Sequence, residues 1–562
     1  MEPERGVDVV GRHQRLVLRT AIVSLFTLGS RLLGFVRETL AASIFGDASA
    51  VNDAFVTAWR VPNLFRSLLG EGAMSTSLQT ALTREDAERG LAAGRRLFWA
   101  LARIVGVLSL VICAAVMLGA WFLPDTMPFT HWAWLGEDPE PVRELVVRLM
   151  PFVVLMCLAA VVGGALQVRG HFASTALAPV LMNTWWIAAL FLVIGRFGFD
   201  QRADPTAEFA RQMGIARALA WYVMIAGLIL LGTQLPALRS RGFFGGEPLQ
   251  TSAEERGMLR QRVWRVLREA APLALGAAVY QVNVMIDGFM AEGLLRNGGP
   301  SVLYYATRVQ QLPLSLVSAS ATAAVFPVLA ALGHEKRGSE LRKLHDDTHL
   351  AIAFAALPAA FGLLLFAGPI MTLCFEHGAF SAEGTLRGAA ALRMLALAVL
   401  PAGAAGLVAR TLYALGDFRT PVRISIGVLS LNVVLNFALV LGLGMDADGL
   451  GLSTALCSWL NLVLLLPALR RSIGPSARPG EIRSRLVRLL VASAGSVGLA
   501  WCVWNFLESR CSRTLALLSS IALAGVFYAL TCHLLGVPEW RSALSRARKR
   551  ARPGSDFEGR RN

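Results

Sequence analysis

Charge is what this chain has little of. Only 16% of its 562 residues are Asp, Glu, Lys or Arg, where a soluble domain carries about 25%, so a water-soluble globular protein is excluded. The cysteines are few and scattered. Cys113, Cys157, Cys374, Cys457, Cys502, Cys511 and Cys532 form no CxxC pair, which removes a disulfide framework or zinc ribbon and leaves them as small apolar packing residues. No GxxxxGK[ST] phosphate loop occurs, so the chain is not itself an ATP-driven pump. Nor does any pairing of nucleophile and base, or a convincing metal site, point to an enzyme.

Apolar sequence fills the space. The chain is 55% hydrophobic with a mean hydropathy of +0.54. About fourteen segments approach the roughly 20 apolar residues needed to span a bilayer: 16–36, 50–70, 96–122, 145–167, 176–197, 213–237, 270–294, 302–332, 349–375, 388–414, 421–443, 449–469, 486–507 and 514–536. The expected fold is therefore an all-α polytopic membrane protein. The first segment follows a basic stretch without a small-residue cleavage site and reads as a retained helix.

Basic residues set the expected orientation. The stretch 239–269 holds seven arginines against four glutamates, and 541–562 holds eight basic residues against two acidic ones. Stretch 122–144 has five acids and one arginine. Even-numbered connections and both termini are thus expected on the cytoplasmic side. The net charge of +16 then reflects this asymmetry and attraction to anionic membrane lipids, and no nucleic-acid partner is expected.

Internal repetition organises the chain. LPALRSRG at 235–242 echoes LPALRRSIG at 466–474, MPFVVLMC at 150–157 echoes LPAGAAGL at 400–407, and VPNLFRSLLGEGAMSTS at 61–77 lies opposite QLPLSLVSASATAAVFP at 311–327. These echoes predict two six-helix bundles plus two C-terminal helices. The divisions are 1–238 for the first bundle, 239–269 for a basic cytoplasmic linker, 270–471 for the second bundle, 472–540 for two extra transmembrane helices, and 541–562 for a basic cytoplasmic tail. Two parallel repeats of this kind place a substrate near mid-membrane. Transport is the natural use, although topology alone leaves a channel or membrane enzyme open.

The informative residues are polar ones inside apolar segments. The first two segments hold Ser30, Arg31, Arg37, Glu38, Asp53, Arg60, Asn63, Arg66 and Glu71, and the eighth adds Arg308. One arginine at the bilayer centre costs roughly 2.5–3.5 kcal/mol on insertion scales. These side chains must line water, pair with acids, or meet an anionic ligand. Ion pairs such as Arg31 with Glu38, or Arg66 with Glu71, would merely hold helices together, and Arg37 and Arg60 could snorkel to head groups. An ideal helix sets Arg31 and Arg37 about 120° apart, and Gly34 between them would permit a bend. The excess of arginine over acid favours a phosphate or diphosphate, which guanidinium groups bind in bidentate fashion.

Other constellations carry less. HDDTH at 345–349 spaces two histidines at i, i+4 but reads as a solvated helix end. Asp287, Asn432, Asn436 and Thr454 offer oxygens for a coupling Na⁺ or a proton, or for hydrogen bonds between helices. No other cofactor is expected.

SRLLGFVRETLAASIFG, then NDAF, then RVPNLFRSLLGEGAMS resembles the N-terminal signature of the MurJ (MviN) lipid II flippases of the MOP exporter superfamily. The resemblance implies a transporter that moves undecaprenyl-diphosphate-linked peptidoglycan precursor from the inner to the outer leaflet. It assigns Arg31, Arg37, Arg66 and Arg308 to the diphosphate, and Ser30, Glu38, Asp53, Asn63 and Glu71 to the cavity and its gates. It also implies an apolar groove for the lipid tail on the last two helices. Departures exist: TSLQTAL follows EGAMS, and ATRVQQLPLS lacks the acid usual beside Arg308.

The expected function is therefore a flippase working by alternating access in the bacterial cytoplasmic membrane. It would be a monomer, associated with cell-wall synthesis proteins. Two alternatives stand beside it: an exporter of another polyprenyl-diphosphate sugar, and a non-transporting membrane scaffold.

Overall fold

The computed structural model describes residues 4–69, 73–122, 140–199, 204–244, 253–315, 320–335 and 337–541, and among them the secondary structure is helical throughout, with no strand. Packing divides the chain into two units, residues 1–301 with 377–381, and residues 302–376 with 382–562. The chain is a multi-pass helical membrane protein. Nine described spans are long and apolar enough to cross a bilayer, and the pair Ala382–Ala396 and Val399–Ala414, bent by 42°, makes a tenth. The count of fourteen is not reached on this measure. Outside this set are the first, second, seventh and eighth expected segments, which carry the arginines and Asp287 singled out above, with residues 316–319 of the eighth outside the described residues.

The first unit is built from α1 (Glu4–Phe45), α2 (Ala50–Leu69), α3 (Ala73–Arg89), α4 (Leu91–Phe122), α5 (Glu140–Leu149), α6 (Phe152–Val168), α7 (Ala173–Phe197), α8 (Pro205–Gly232), α9 (Leu235–Ser240) and α10 (Ala253–Leu294). Local chemistry explains several boundaries. Pro151 has no N–H to continue the ladder, and it separates α5 from α6. Asp204 caps α8, its carboxylate accepting from Thr206 N at 3.3 Å and Ala207 N at 3.2 Å, with Pro205 in the first turn. The Thr206 hydroxyl at 2.7 Å and those amides hold the Asp204 carboxyl below the usual carboxylate range.

The core of this unit is aromatic at one end. Phe98, fully buried, packs on Phe243 with ring centroids 4.7 Å apart, and Trp99 Nε1 donates to Phe243 O at 2.9 Å. Arg169 stacks 3.8 Å over the Phe243 ring and donates to Asp86 and to the carbonyls of Leu91 and Arg241. One guanidinium thus ties α3, the α3–α4 turn, α6 and the end of α9 together.

One described helix was not expected. Helix α3 was not foreseen, because its TREDAER run lowers hydropathy without lowering helix propensity. Within segment 302–332 the described helices are α11 (Gly299–Leu314) and α12 (Ser320–His334), and residues 316–319 lie outside the described residues. The seventh expected segment lies within α10, which packs in the first unit against α2, α3 and α4. Its partners are polar: Arg262 pairs with Glu85, and Glu255 with Arg96 at 3.2 Å. The second half of the 239–269 linker is accordingly helix, since no proline interrupts it before Pro272.

The second unit continues from α11 through α12, α13 (Gly338–Phe375), α14 (Ala382–Ala396), α15 (Val399–Ala414), α16 (Arg419–Phe437), α17 (Ala447–Ile473), α18 (Pro479–Leu507) and α19 (Arg513–Leu534), with a π-helical turn at Ala438–Gly442. The long α13 is its spine, packing against α12, α14, α15, α18 and α19. Phe366, 2% exposed, meets Trp501 edge-on at 5.3 Å, and Tyr528 donates to Phe354 O at 2.6 Å. Each aromatic pair adds about 0.5–1.5 kcal/mol beyond area burial. HDDTH is not a solvated end: His345 and Asp346 are buried, and His345 Nδ1 lies 2.9 Å from Thr411 Oγ1. The α13 helix begins at Gly338, ahead of this stretch, and of the five residues in HDDTH Asp347 is the exposed one.

Candidate functional site

In the first unit the site starts from α1 packed on α7. Ser30 and Arg37 are seven residues apart, two helical turns, and so share one face of α1. Asn183 on α7 reaches both: its Nδ2 donates to Ser30 O at 3.0 Å and Ser30 Oγ at 3.1 Å, and its Oδ1 accepts from Arg37 Nη1 at 3.2 Å. Trp186, one turn further along α7, carries the Arg37 guanidinium 4.3 Å over its ring. Glu38 takes the other end of the same group as an ion pair. The pairing of Arg37 with Glu38 was not among those weighed from the sequence. Arg31 is half-buried one position beyond Ser30.

On α2, Arg66 donates from Nε and Nη2 to Asn63 Oδ1 at 3.1 and 2.8 Å. The amide orients the guanidinium without cancelling its charge. Pro62 sits inside α2, where it removes one backbone bond just before this pair. Asp53 faces elsewhere. It is 4% exposed and accepts from Gly298 N at 2.7 Å, Ser301 N at 2.9 Å and Ser301 Oγ at 2.5 Å, so it holds the chain turn that starts α11. Glu71 lies outside the described residues.

A second polar group was only partly foreseen. Arg60 Nη1 donates to Val284 O on α10 at 3.0 Å, and Thr57 donates to Glu292 Oε2 at 2.7 Å. Asp287, buried on the same helix, accepts from Asn283 Nδ2 at 3.0 Å. These contacts join α2 to α10 through polar groups. Glu292 was missed in the sequence because it lies at the edge of its segment, where a carboxylate carries no signal.

In the second unit Arg308 on α11 is held by its own helix. Nη2 donates to Tyr304 OH at 2.8 Å, Nη1 to Gln311 Oε1 at 3.1 Å, and the guanidinium lies 4.5 Å over the Tyr304 ring. These two acceptors, a phenol and an amide, are neutral. On α16, Asn432 donates to Ser453 Oγ of α17 at 2.8 Å and accepts from Asn436 Nδ2 at 3.3 Å. Thr454 donates back to Leu450 O at 3.0 Å. Of these contacts, the one between Asn432 and Ser453 joins α16 to α17. Among the described residues no group of three or more His, Cys, Asp or Glu could hold a metal ion.

Asn183 and Trp186 were the main omissions. The signal existed, since LMNTWW puts an amide within an apolar run, but nothing in spacing says which helix it meets.

Comparison with known proteins now has geometry to attach to. The family model described as lipid II flippase MurJ matches residues 41–524. A protein of Burkholderia cenocepacia named lipid II flippase MurJ is 30% identical over 489 residues, 86% of this chain and 89% of that one. A probable lipid II flippase MurJ of Rhizobium meliloti is 29% identical, covering 97% and 98% of the two chains. Among solved structures, one titled lipid II flippase MurJ, inward closed conformation, superposes with a TM-score of 0.69 at 20% identity, covering 93% of this chain and all of that one. An inward-facing MATE multidrug transporter of the MOP superfamily has the same fold at a TM-score of 0.61 and 16% identity, covering 83% and 98%. The membrane arginines on α1 and α2 therefore sit in a chain that belongs to the lipid II flippase MurJ family.

Proposed function

We propose that this chain carries lipid II, an undecaprenyl-diphosphate-linked peptidoglycan precursor, from the inner to the outer leaflet of the bacterial cytoplasmic membrane. Both termini are on the cytoplasmic side and the carrier is a monomer working by alternating access. The observation that supports this best is the arginine set of α1 and α2. Arg37 is oriented by Asn183 and Trp186, and Arg66 by Asn63. Such fixed forks suit phosphate oxygens. Arg31 completes the phosphate-binding group of the first unit, with Ser30, Glu38 and Asn63 shaping it. Arg308, its fork set by Tyr304 and Gln311, takes the same kind of ligand in the second unit.

The membrane potential adds a drive. It is worth about 2.3 kcal/mol per elementary charge per 100 mV, and inside-negative polarity favours outward movement of an anionic head group. Coupling to Na⁺ or H⁺ belongs to the same proposal, through Asp287 in the first unit or through Asn432, Asn436 and Thr454 in the second. Dependence of flipping on an imposed Na⁺ or pH gradient, lost in Asp287→Asn or in Asn436→Leu, assigns it to one of them.

The experiment that tests the function is rescue of a bacterium depleted of its own lipid II flippase, scored by surface-exposed lipid II. Parent, Arg31→Ala and Arg308→Ala are compared at equal membrane levels. Rescue by the parent and failure of both variants is expected. No rescue by a well-inserted parent overturns the proposal.

A further inference from the structure

A cavity of about 410 Å³ opens in the second unit where the start of α13, the end of α17 and the first three turns of α18 come together. Its wall has two chemistries. Arg342, Arg470 and Arg483 line one part, and Ile482, Leu486 and Leu490 line another. The three apolar residues are spaced by four, so they form one stripe on α18 running about 12 Å along its axis. No residue of α19 lines the cavity, so it is separate from the groove expected between the last two helices.

The three arginines are not equivalent. Arg342 is fixed as part of the frame: its Nε donates to Asp346 Oδ1 at 3.0 Å and its Nη1 to Gly474 O at 2.8 Å. Asp346 Oδ2 in turn accepts from Ser476 Oγ at 2.7 Å, which pins the α17–α18 connection to α13. Arg342 is thereby neutralised by Asp346. The other acids nearby are also engaged, Asp347 with Arg478 and Glu481 with Arg485. Among the described residues no ion pair engages Arg470 or Arg483, and both are exposed. The cavity therefore carries net positive charge at one end and hydrocarbon along α18.

We propose that this cavity binds one anionic phospholipid, its phosphate between Arg470 and Arg483 and one acyl chain along Ile482, Leu486 and Leu490. A phosphate demands cations, which the arginines provide. The chain attached to it demands a continuous apolar surface leading into the bilayer, which the α18 stripe provides. A basic surface alone would attract anionic lipids without selecting one. The frame made by Arg342, Asp346, Gly474 and Ser476 gives the site a fixed shape. A bound lipid would bridge α17 to α18, joining the last two helices to the preceding bundle from the membrane side.

The full-length protein, purified in a neutral detergent, is titrated with dioleoylphosphatidylglycerol and the bound lipid counted by native mass spectrometry. Dioleoylphosphatidylcholine, glycerophosphoglycerol and inorganic phosphate are run beside it. An arginine near an anionic head group is worth about fivefold in affinity. Arg470→Gln with Arg483→Gln is expected to weaken phosphatidylglycerol binding about 25-fold, and Leu486→Ser with Leu490→Ser at least about tenfold. Arg471→Gln, next in sequence but outside the lining, is expected to change it less than about twofold. Unaltered melting temperatures for these surface variants exclude loss of fold as the cause. Equal weakening by Arg471→Gln, or none by the double arginine variant, overturns the site. Glycerophosphoglycerol or inorganic phosphate binding as tightly as the lipid overturns the lipid assignment in favour of a free phosphate.

Discussion

Asn183 and Arg37 meet across α1 and α7 through a 3.2 Å hydrogen bond, and the same amide grips Ser30 two turns away. One side chain therefore fixes both the rotation of α1 on α7 and the aim of an arginine. Gly34 faces the same amide, and a Cβ there would stand 3.7 Å from Asn183 Nδ2, an ordinary van der Waals contact. Asn183→Leu leaves Arg37 with Trp186 and Glu38 but removes the amide that aims it. We expect flipping to fall about tenfold, which corresponds to about 1.4 kcal/mol, at unchanged membrane level. Asn183→Asp would set a second carboxylate beside Arg37, which already pairs with Glu38, and the group's net negative charge would repel an anionic head group, so flipping should fall further. Equal activity of Asn183→Leu and parent in the surface-exposed lipid II measurement would remove Asn183 from any positioning role.

Arg308 gives a test of geometry against charge. Its fork is set by Tyr304 and Gln311 on either side along α11. Lysine keeps the charge but has neither the planar fork nor the stacking on Tyr304. Arg308→Lys is expected to lower flipping at least about tenfold. Tyr304→Phe keeps the ring under the guanidinium and loses only the hydroxyl, so about a threefold loss is expected, the size of one net hydrogen bond. If lysine serves as well as arginine, a point charge is all the site needs.

The sequence carried the membrane class and the arginine set because both are one-dimensional signals. A run of apolar residues reports a span, and an arginine inside it reports an exception that some partner must explain. The partners were not legible. Asn183, Trp186 and Val284 O lie on other helices from Arg37 and Arg60, and a periodicity of 3.6 says which face a residue occupies without naming what that face meets. Helix α3 was invisible for a different reason: hydropathy finds spans, and TREDAER helices are polar. Nor could counting segments show that Glu255, Arg262 and Glu292 of α10 meet α4, α3 and α2.

Gly46 sits in the turn between α1 and α2 at φ +79°, and a Cβ there would lie 2.6 Å from Ala379 O. The segment 377–381 is held against this turn, with Ala379 N donating to Ser43 O at 2.8 Å and Ser381 Oγ to Asp47 Oδ2 at 2.8 Å. Because the obstacle is backbone, it cannot rotate away. Gly46→Ala should destabilise by about 2 kcal/mol or more from the left-handed conformation and the displaced carbonyl. Gly29→Ala is the control, as nothing lies within 4 Å of its Cβ position, and alanine in a helix interior is favoured by about 0.5–1 kcal/mol. Thermal unfolding of the purified protein should separate the two in opposite directions. A midpoint unchanged in Gly46→Ala would show that the 377–381 segment yields freely.

Asp53 separates a stabilising role from a binding one. Its two oxygens accept three hydrogen bonds, from Gly298 N, Ser301 N and Ser301 Oγ, and a buried carboxylate so placed is committed to those donors. Asp53→Ala leaves two backbone N–H groups without their acceptor, at about 1–3 kcal/mol each, so a loss of about 2–5 kcal/mol is expected. Asp53→Asn keeps one oxygen for Ser301 but turns an amide N–H₂ toward Gly298 N, and should lose nearly as much. Ser301→Ala removes only the hydroxyl and should cost about 1 kcal/mol. In a double-mutant cycle the hydroxyl's contribution should vanish once Asp53 is alanine, giving a coupling of about 1 kcal/mol. Binding of lipid II by the folded fraction of Asp53→Ala should stay within about twofold of the parent. A variant that melts normally but binds lipid II at least tenfold more weakly would instead place Asp53 among the groups that hold the ligand, and the turn at Gly298–Ser301 would then need another anchor.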